Sequence, residues 1–378
     1  MQMKKYLSLC FLILTNLLLV SQAIEVNPPD DIKTISFGTS DNAYGLPIAN
    51  LNEKLYLEFD VLNNLEEDFY YTIEHFDYDW TPSQLMKTEY LSGMDNLRIV
   101  NYINSFNTYQ IYSHYELEIP NSQTRLKVSG NYIIKIYDDY DDLVFSRKFM
   151  VMESKANIGV QVRRSRNVSL INETQSVDFI ISPKEDNFIN PIETIKTIVV
   201  QNNNLKTALY SLKPQYILGN ELVYRSIDES LFWGGNEYLF FENKDVRSAN
   251  LGVQYIDLQE LYHGYLYTDI ERYRQKYTYN PDINGGYKVN ILDRNEPKIE
   301  ADYTYIHFTL MCEELKNSSV YVYGGFNNFS TNYENKMSYN TKRNVYEATL
   351  LMKQGFYNYK YVVLDLSLIH ISEPTRRK

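Results

Sequence analysis

The residues best placed for chemistry lie in the segment Tyr70 to Trp80, which reads YYTIEHFDYDW. Strand spacing puts His75, Asp77 and Asp79 on one face, and an imidazole beside two carboxylates is a donor set for a metal ion. A strand edge kept soluble by charge is the commoner use of such a row. Phe76, Tyr78 and Trp80 fall on the other face. Tyr78 and Trp80 are the candidate anchors for a protein partner, because aromatic residues carry much of the binding energy at interfaces, while core packing is the competing use of both. Upstream, Phe69, Tyr71 and Ile73 occupy the face that His75 then takes over, so the apolar side changes at Glu74 to His75 and predicts a bulge or a change of sheet there.

Other groups offer less. Asp138 to Asp142 holds four carboxylates around Tyr140 but lacks the spacing of a calcium loop, and it reads as a solvated hairpin tip. Arg163, Arg164 and Arg166 form the one dense basic run, suited to a solvated face or a salt bridge with a partner. Cys312 has no histidine partner visible in the sequence. A Gly-x-Ser-x-Gly elbow, a phosphate-binding glycine loop, a Cys-x-x-Cys pair and a His-Glu-x-x-His motif are all absent. Glycosidase chemistry needs only two carboxylates at a set separation, which an acidic chain always contains somewhere. No catalytic, metal or cofactor residue is assigned.

The elements that must position these residues are strands. Leu55, Leu57, Phe59 and Val61 alternate with polar positions, as do Tyr115, Leu117 and Ile119, and Tyr132, Ile134 and Ile136 followed by Val144 to Val151 predict a hairpin. No segment of helical length carries an apolar stripe; Leu258 to Tyr265 is the one stretch suited to a helical turn. The expectation is an all-β protein of tandem immunoglobulin-like β-sandwich domains, at residues 24–155, 156–296 and 297–365. The chain has 378 residues, enough for two or three such domains, and aromatic residues make up 15% of it, which excludes wholesale disorder. Its net charge is −11, opposite in sign to what a nucleic-acid binder needs to displace counterions from phosphates.

Both ends are set aside in this reading. Lys4 and Lys5, the apolar run Tyr6 to Val20 and the small residues Ser21 and Ala23 form a secretory signal peptide with cleavage after Ala23. That run is too short and interrupted to span a bilayer. Removing it leaves Cys312 as the sole cysteine, so an intrachain disulfide is excluded and the core must hold the chain; with the export signal this points to a bacterial export product. At the other end, residues 366–378 begin with a run, Leu366 to Arg376, that reads as the translation of a sequencing adapter, which places the end of the natural sequence near Asp365 and truncates the third domain.

A set of ordered motifs goes further. Tyr44-Gly-Leu-Pro47, Tyr71-Thr-Ile-Glu-His75 running through Asp77-Tyr-Asp-Trp-Thr-Pro-Ser83, Glu89-Tyr-Leu-Ser-Gly93, Asn101-Tyr-Ile-Asn-Ser-Phe-Asn-Thr108, Tyr112-Ser-His-Tyr115, Ser129-Gly-Asn-Tyr132, Arg147 and Phe149 to Glu153 together resemble the plug protein family of the bacterial type IX secretion system, found in the Bacteroidota. Phe76 departs from the cysteine of the family pattern. Val320 to Phe329, Tyr346 to Leu351 and Gly355 to Tyr361 resemble the immunoglobulin-like (E-set) starch- and glycogen-binding modules, with Phe329 where a tryptophan commonly stacks on sugar. The first resemblance implies a non-catalytic periplasmic subunit at the inner face of the outer membrane, which binds the translocon barrel and closes its periplasmic opening, with no nucleic acid, no membrane span of its own and no small-molecule ligand. The second implies a glucan-binding protein as the alternative.

Overall fold

Two stacked sheets make up the first unit. The computed structural model describes residues 22–42, 45–63, 65–185, 187–272 and 281–365, and the backbone of 370–372; the signal peptide, apart from Gln22 and Ala23, lies outside the described residues, as does most of the adapter-like tail. One sheet orders its strands Ile32–Gly38, Leu55–Val61, Ser113–Ile119, Asn101–Asn104; the other runs Ile48–Asn50, Leu143–Met152, Gly130–Tyr137, Tyr70–Phe76, Leu97–Arg98. Period-two alternation turns Leu55, Leu57, Phe59 and Val61 inward, where they are buried against the facing sheet. Phe59 stacks on Tyr115 at 5.2 Å and meets Phe145 edge-on at 5.2 Å, so aromatic rings fill the space between the layers.

The bulge expected at Glu74 to His75 is not formed. Tyr70–Phe76 pairs with Gly130–Tyr137 in unbroken register, from Tyr70↔Tyr137 to Phe76↔Asn131. The apolar pattern changes sides because Phe76 and Ile133 face outward into a second, smaller core that covers the back of this sheet. Gly130, at φ +153, is required here: a Cβ would stand 2.2 Å from His75 Nε2.

The middle unit is a five-stranded sheet, Ala156–Arg164, Thr174–Pro183, Glu221–Tyr224, Tyr216–Leu218, with Leu231–Trp233 also on Thr174–Pro183, and a separate hairpin Ile198–Gln201/Asn204–Tyr210. Its core is small: Phe179, Ile181, Leu222 and Tyr224.

The third unit begins well before the boundary expected at 296. Leu239–Glu242 and Tyr287–Val289 pair with Gly355–Asp365, and Val253–Leu258 and Tyr262–Leu266 join the sheet of Tyr303–Met311 and Val345–Lys353. These strands therefore belong to the later sandwich. Local alternation says that a segment is a strand but not which sheet receives it, and the polar residues around Pro297 are a surface connection rather than a boundary. The helical turn expected over Leu258 to Tyr265 is a hairpin, Leu258↔Tyr262 closing its two strands. The chain is thus all-β, built from tandem β-sandwich units. Among the described residues no helix is long and apolar enough to cross a membrane.

Inside the third unit, Asp269 accepts hydrogen bonds from Tyr359 (2.8 Å) and Tyr361 (2.7 Å). Desolvation outweighs these bonds and pushes its carboxyl up to about 6. A carboxyl raised by folding contributes stability below its ordinary value of 3.8, which is lost as pH rises through 6. Asp269→Asn removes that loss, so the variant should gain about 2 kcal/mol on wild type between pH 4 and pH 7.5. Denaturant midpoints at the two pH values check this, and a difference independent of pH would refute it.

Candidate functional site

The outer face of the first unit's four-stranded sheet carries a row of ionisable groups. Cross-strand pairing sets Asp60 opposite His114 and Glu58 opposite Glu116, and two carboxylates directly opposite each other repel unless a cation stands between them. The third unit supplies the cations. Lys298 Nζ binds Glu58 Oε1 at 2.8 Å and also contacts Glu116. Lys353 Nζ binds Asp60 Oδ2 at 2.7 Å, with both side chains inaccessible to solvent.

Asp60 is 0% exposed and fully occupied. Its Oδ1 accepts from His114 Nδ1 at 2.6 Å, and its Oδ2 accepts from Tyr303 OH at 2.6 Å as well as from Lys353. Lys353 donates to the Lys298 carbonyl at 2.6 Å and lies 4.1 Å from the centre of the Tyr112 ring. Tyr112 OH donates to the Ala301 carbonyl at 2.9 Å. Desolvation pushes the Asp60 carboxyl up, but the Lys353 charge and the His114 bond overcome it and hold the group below the usual carboxylate range. Burial lowers His114, and its bond to Asp60 together with the Glu116 carboxylate 3.6 Å from Nε2 more than reverse this, leaving it above its ordinary value. The nearby His114 imidazole and the Lys298 ammonium hold Glu116 down to about 2 despite its desolvation.

Further bonds extend this seam between the first and third units: Phe106 N to Ile299 O (2.9 Å), Arg294 Nη1 to Asn107 O (2.9 Å) and Tyr287 OH to Ile35 O (2.9 Å). The middle unit is tied to both neighbours. Trp80 packs with Phe76 and Ile133 against Leu205 and Tyr210 of its hairpin, and Asn204 Nδ2 donates to Tyr323 OH at 2.7 Å. The arrangement joins three sandwiches into one unit through buried ion pairs, hydrogen bonds and a shared apolar core, although His114 Nε2 and Trp80 Nε1 are buried without a hydrogen-bond partner.

The residues singled out from the sequence are dispersed. His75 turns inward between Tyr90 and Tyr132 with Nδ1 at 2.8 Å from Ser83 Oγ, Asp79 Oδ1 accepts from Thr81 Oγ1 at 2.7 Å, and Asp77 is exposed, so the three do not converge. Trp80 is 1% exposed and occupied within the chain, which removes it as a free contact anchor; Tyr78 OH bonds Ser211 Oγ at 2.7 Å across the same junction. Ala23 N donates to Trp80 O at 2.9 Å. Asp138 Oδ1 accepts from Tyr140 N and Asp142 N, both at 2.9 Å, closing the hairpin tip on itself. Arg163 and Arg166 share Asp178. Cys312 is buried and its thiol is pushed up to about 11 by desolvation, which makes it inert. Phe329 is half-buried, its ring centre 5.4 Å from that of Tyr323.

Among the described residues one group of three could hold a metal, Glu58, His114 and Glu116, with ligand atoms within 4.8 Å of one another. The Lys298 ammonium already contacts both carboxylates and serves as their counter-ion. Sequence reading passed over this face because Tyr56-x-Glu58-x-Asp60 looks like the solvated side of a strand. Its one local signal is the facing pair Glu58 and Glu116, visible only once the two strands are paired.

The comparisons with known proteins agree with this architecture. Residues 32–153, the whole first unit, match the model of the type 9 secretion system plug protein 1st domain. A crystal structure of a hypothetical protein from Parabacteroides merdae is similar at 31% identity with a TM-score of 0.88, covering 93% of this chain and 90% of that one. No curated protein matches the chain. An all-β, tandem-sandwich protein with this first domain is a type IX secretion-associated protein, and its first unit, residues 32–153, belongs to the type 9 secretion system plug first-domain family.

Proposed function

We propose that the chain is a non-catalytic periplasmic subunit that binds the outer-membrane translocon barrel of the type IX system and occludes its periplasmic opening. The match of the first unit to the plug domain carries this reading. The seam supports it physically. A body that closes a pore must keep its shape under load, and buried ion pairs between sandwiches such as Lys353 to Asp60 resist relative motion better than the wet, polar interfaces usual between domains. Release then means withdrawal of the whole body, favoured when the barrel binds another conformation or partner more tightly.

The test is capture of the tagged full-length mature protein on solubilised native outer membranes, followed by conductance of the recovered barrel in a planar bilayer. Recovery of a barrel much larger than the bait, with conductance that falls on adding the protein, is the expected result. Absence of a barrel, or conductance indifferent to the protein, would overturn the reading; retention on an insoluble glucan instead would favour the sugar-binding alternative.

A further inference from the structure

The middle unit ends in an unprotected strand. Ala156–Arg164 pairs along its full length with Thr174–Pro183, from Ala156↔Pro183 to Arg164↔Gln175, with no bulge, and it is the terminal strand of its sheet. Among the described residues no backbone hydrogen bond reaches its other edge. Proteins blunt such edges with proline, charge, a bulge or short length. This strand is nine residues long, contains no proline, and runs Ala-Asn-Ile-Gly-Val-Gln-Val before its first charge.

Its side chains are as open as its backbone. Ile158, Val160 and Val162 are 62%, 62% and 59% exposed. Pairing sets them beside Ile181, Phe179 and Val177, so they extend the apolar face of the sheet outward past the covering hairpin. Together with Val199 they line a groove of about 550 Å³. On the opposite face, a Cβ at Gly159 would meet nothing within 4 Å. At the far end Arg164 donates to neutral acceptors, the Ile171 carbonyl at 3.2 Å and Asn172 Oδ1, and no carboxylate pairs with it among the described residues.

We infer that this edge accepts a strand from a partner chain: an extended segment with β-branched or aromatic residues at alternate positions and an Asp or Glu where it passes Arg164. Main-chain bonds along the free edge would supply affinity, and the Ile158–Val160–Val162 row would select the alternate side chains. Charge disfavours a second copy of this chain as the occupant. Antiparallel self-pairing about Val160 sets Arg164 against Ala156 and Arg163 against Asn157, leaving the guanidinium without a carboxylate. The partner is the translocon barrel, an assignment that rests on the function proposed above.

The experiment uses the full-length protein in its native cells, with a photo-cross-linking residue at Gly159, and identifies the cross-linked peptide by mass spectrometry. A parallel capture compares wild type with Ile158→Lys/Val162→Lys and with Arg164→Glu. Both changes lie at exposed positions, and an unaltered melting temperature confirms that each variant is folded. The expected result is a cross-link to an alternating, acidic segment of the barrel, with capture reduced at least tenfold by the double variant and several-fold by Arg164→Glu. Barrel captured at the wild-type level by the double variant, or cross-links absent or made only to another copy of this chain, would overturn the inference and leave the plug reading standing. If the wild type captures no barrel yet residue 159 cross-links to a strand of the stated chemistry in another protein, the plug reading fails and the strand-accepting edge remains.

Discussion

Asp60→Ala is expected to destabilise the protein by about 3–5 kcal/mol, because it leaves the Lys353 ammonium buried away from solvent without its counter-charge, while Tyr303 OH keeps its bond to Thr34 Oγ1. The buried charge, more than the lost attraction, produces the effect. Lys353→Met in the Asp60→Ala background should therefore recover much of the loss, since an apolar pair of similar volume tolerates burial where a lone cation does not. The same change should split denaturation of the first and third units into separate transitions, as the seam is what couples them.

Its pH dependence has two limbs. The Asp60 carboxyl is held low in the fold, so its contribution is present above the ordinary carboxylate range and is lost as pH falls through the folded value. His114 is raised, so its contribution is complete below its ordinary value of 6.5 and is lost as pH rises through the folded value. Between those limits the seam is strongest. Urea titrations at pH 5, 6 and 8 should show wild type losing stability from pH 6 to 8 while Asp60→Ala changes less. Equal midpoints for the two proteins would show that the network adds nothing.

Trp80→Ala should cost a similar amount, about 3–5 kcal/mol, by emptying the small core shared by the first unit and the hairpin of the middle one. Trp80 sits at φ +66, unusual for a bulky residue, in a turn closed by Trp80 N to Asp77 O (3.0 Å) and Asp77 N to Thr81 O (2.8 Å). The Lys148 ammonium lies 4.4 Å from the centre of its ring. Losing the ring should loosen the middle unit while the first stays folded, seen as faster proteolysis around Glu153 to Ala156. Trp80→Phe keeps an aromatic filler and should lose less than half as much. Unchanged cleavage in Trp80→Ala would mean that the hairpin is held by Tyr78–Ser211 and Asn204–Tyr323 instead.

The motif order of the first unit was legible because the residues that define it are close in the chain: alternation sets which side of Leu55–Val61 enters the core, and turn residues set where each strand stops. The hairpin Gly130–Tyr137/Leu143–Met152 is local in the same sense. Trp80 shows the limit even there, since its type fits a core or an interface equally well and the hairpin that covers it lies in another unit.

The sequence by itself determined the all-β class, the strand faces and the resemblance of the first domain, because period-two patterning is a local property of the chain. Tertiary structure alone decided that the polar face of Glu58 and Asp60 meets Lys298 and Lys353, 293 residues beyond Asp60 in the latter case. It also decided that the strands of 239–289 join the third sandwich. A polar strand face carries the same pattern whether it meets water or a paired cation, and the difference is set by long-range pairing that no local period encodes.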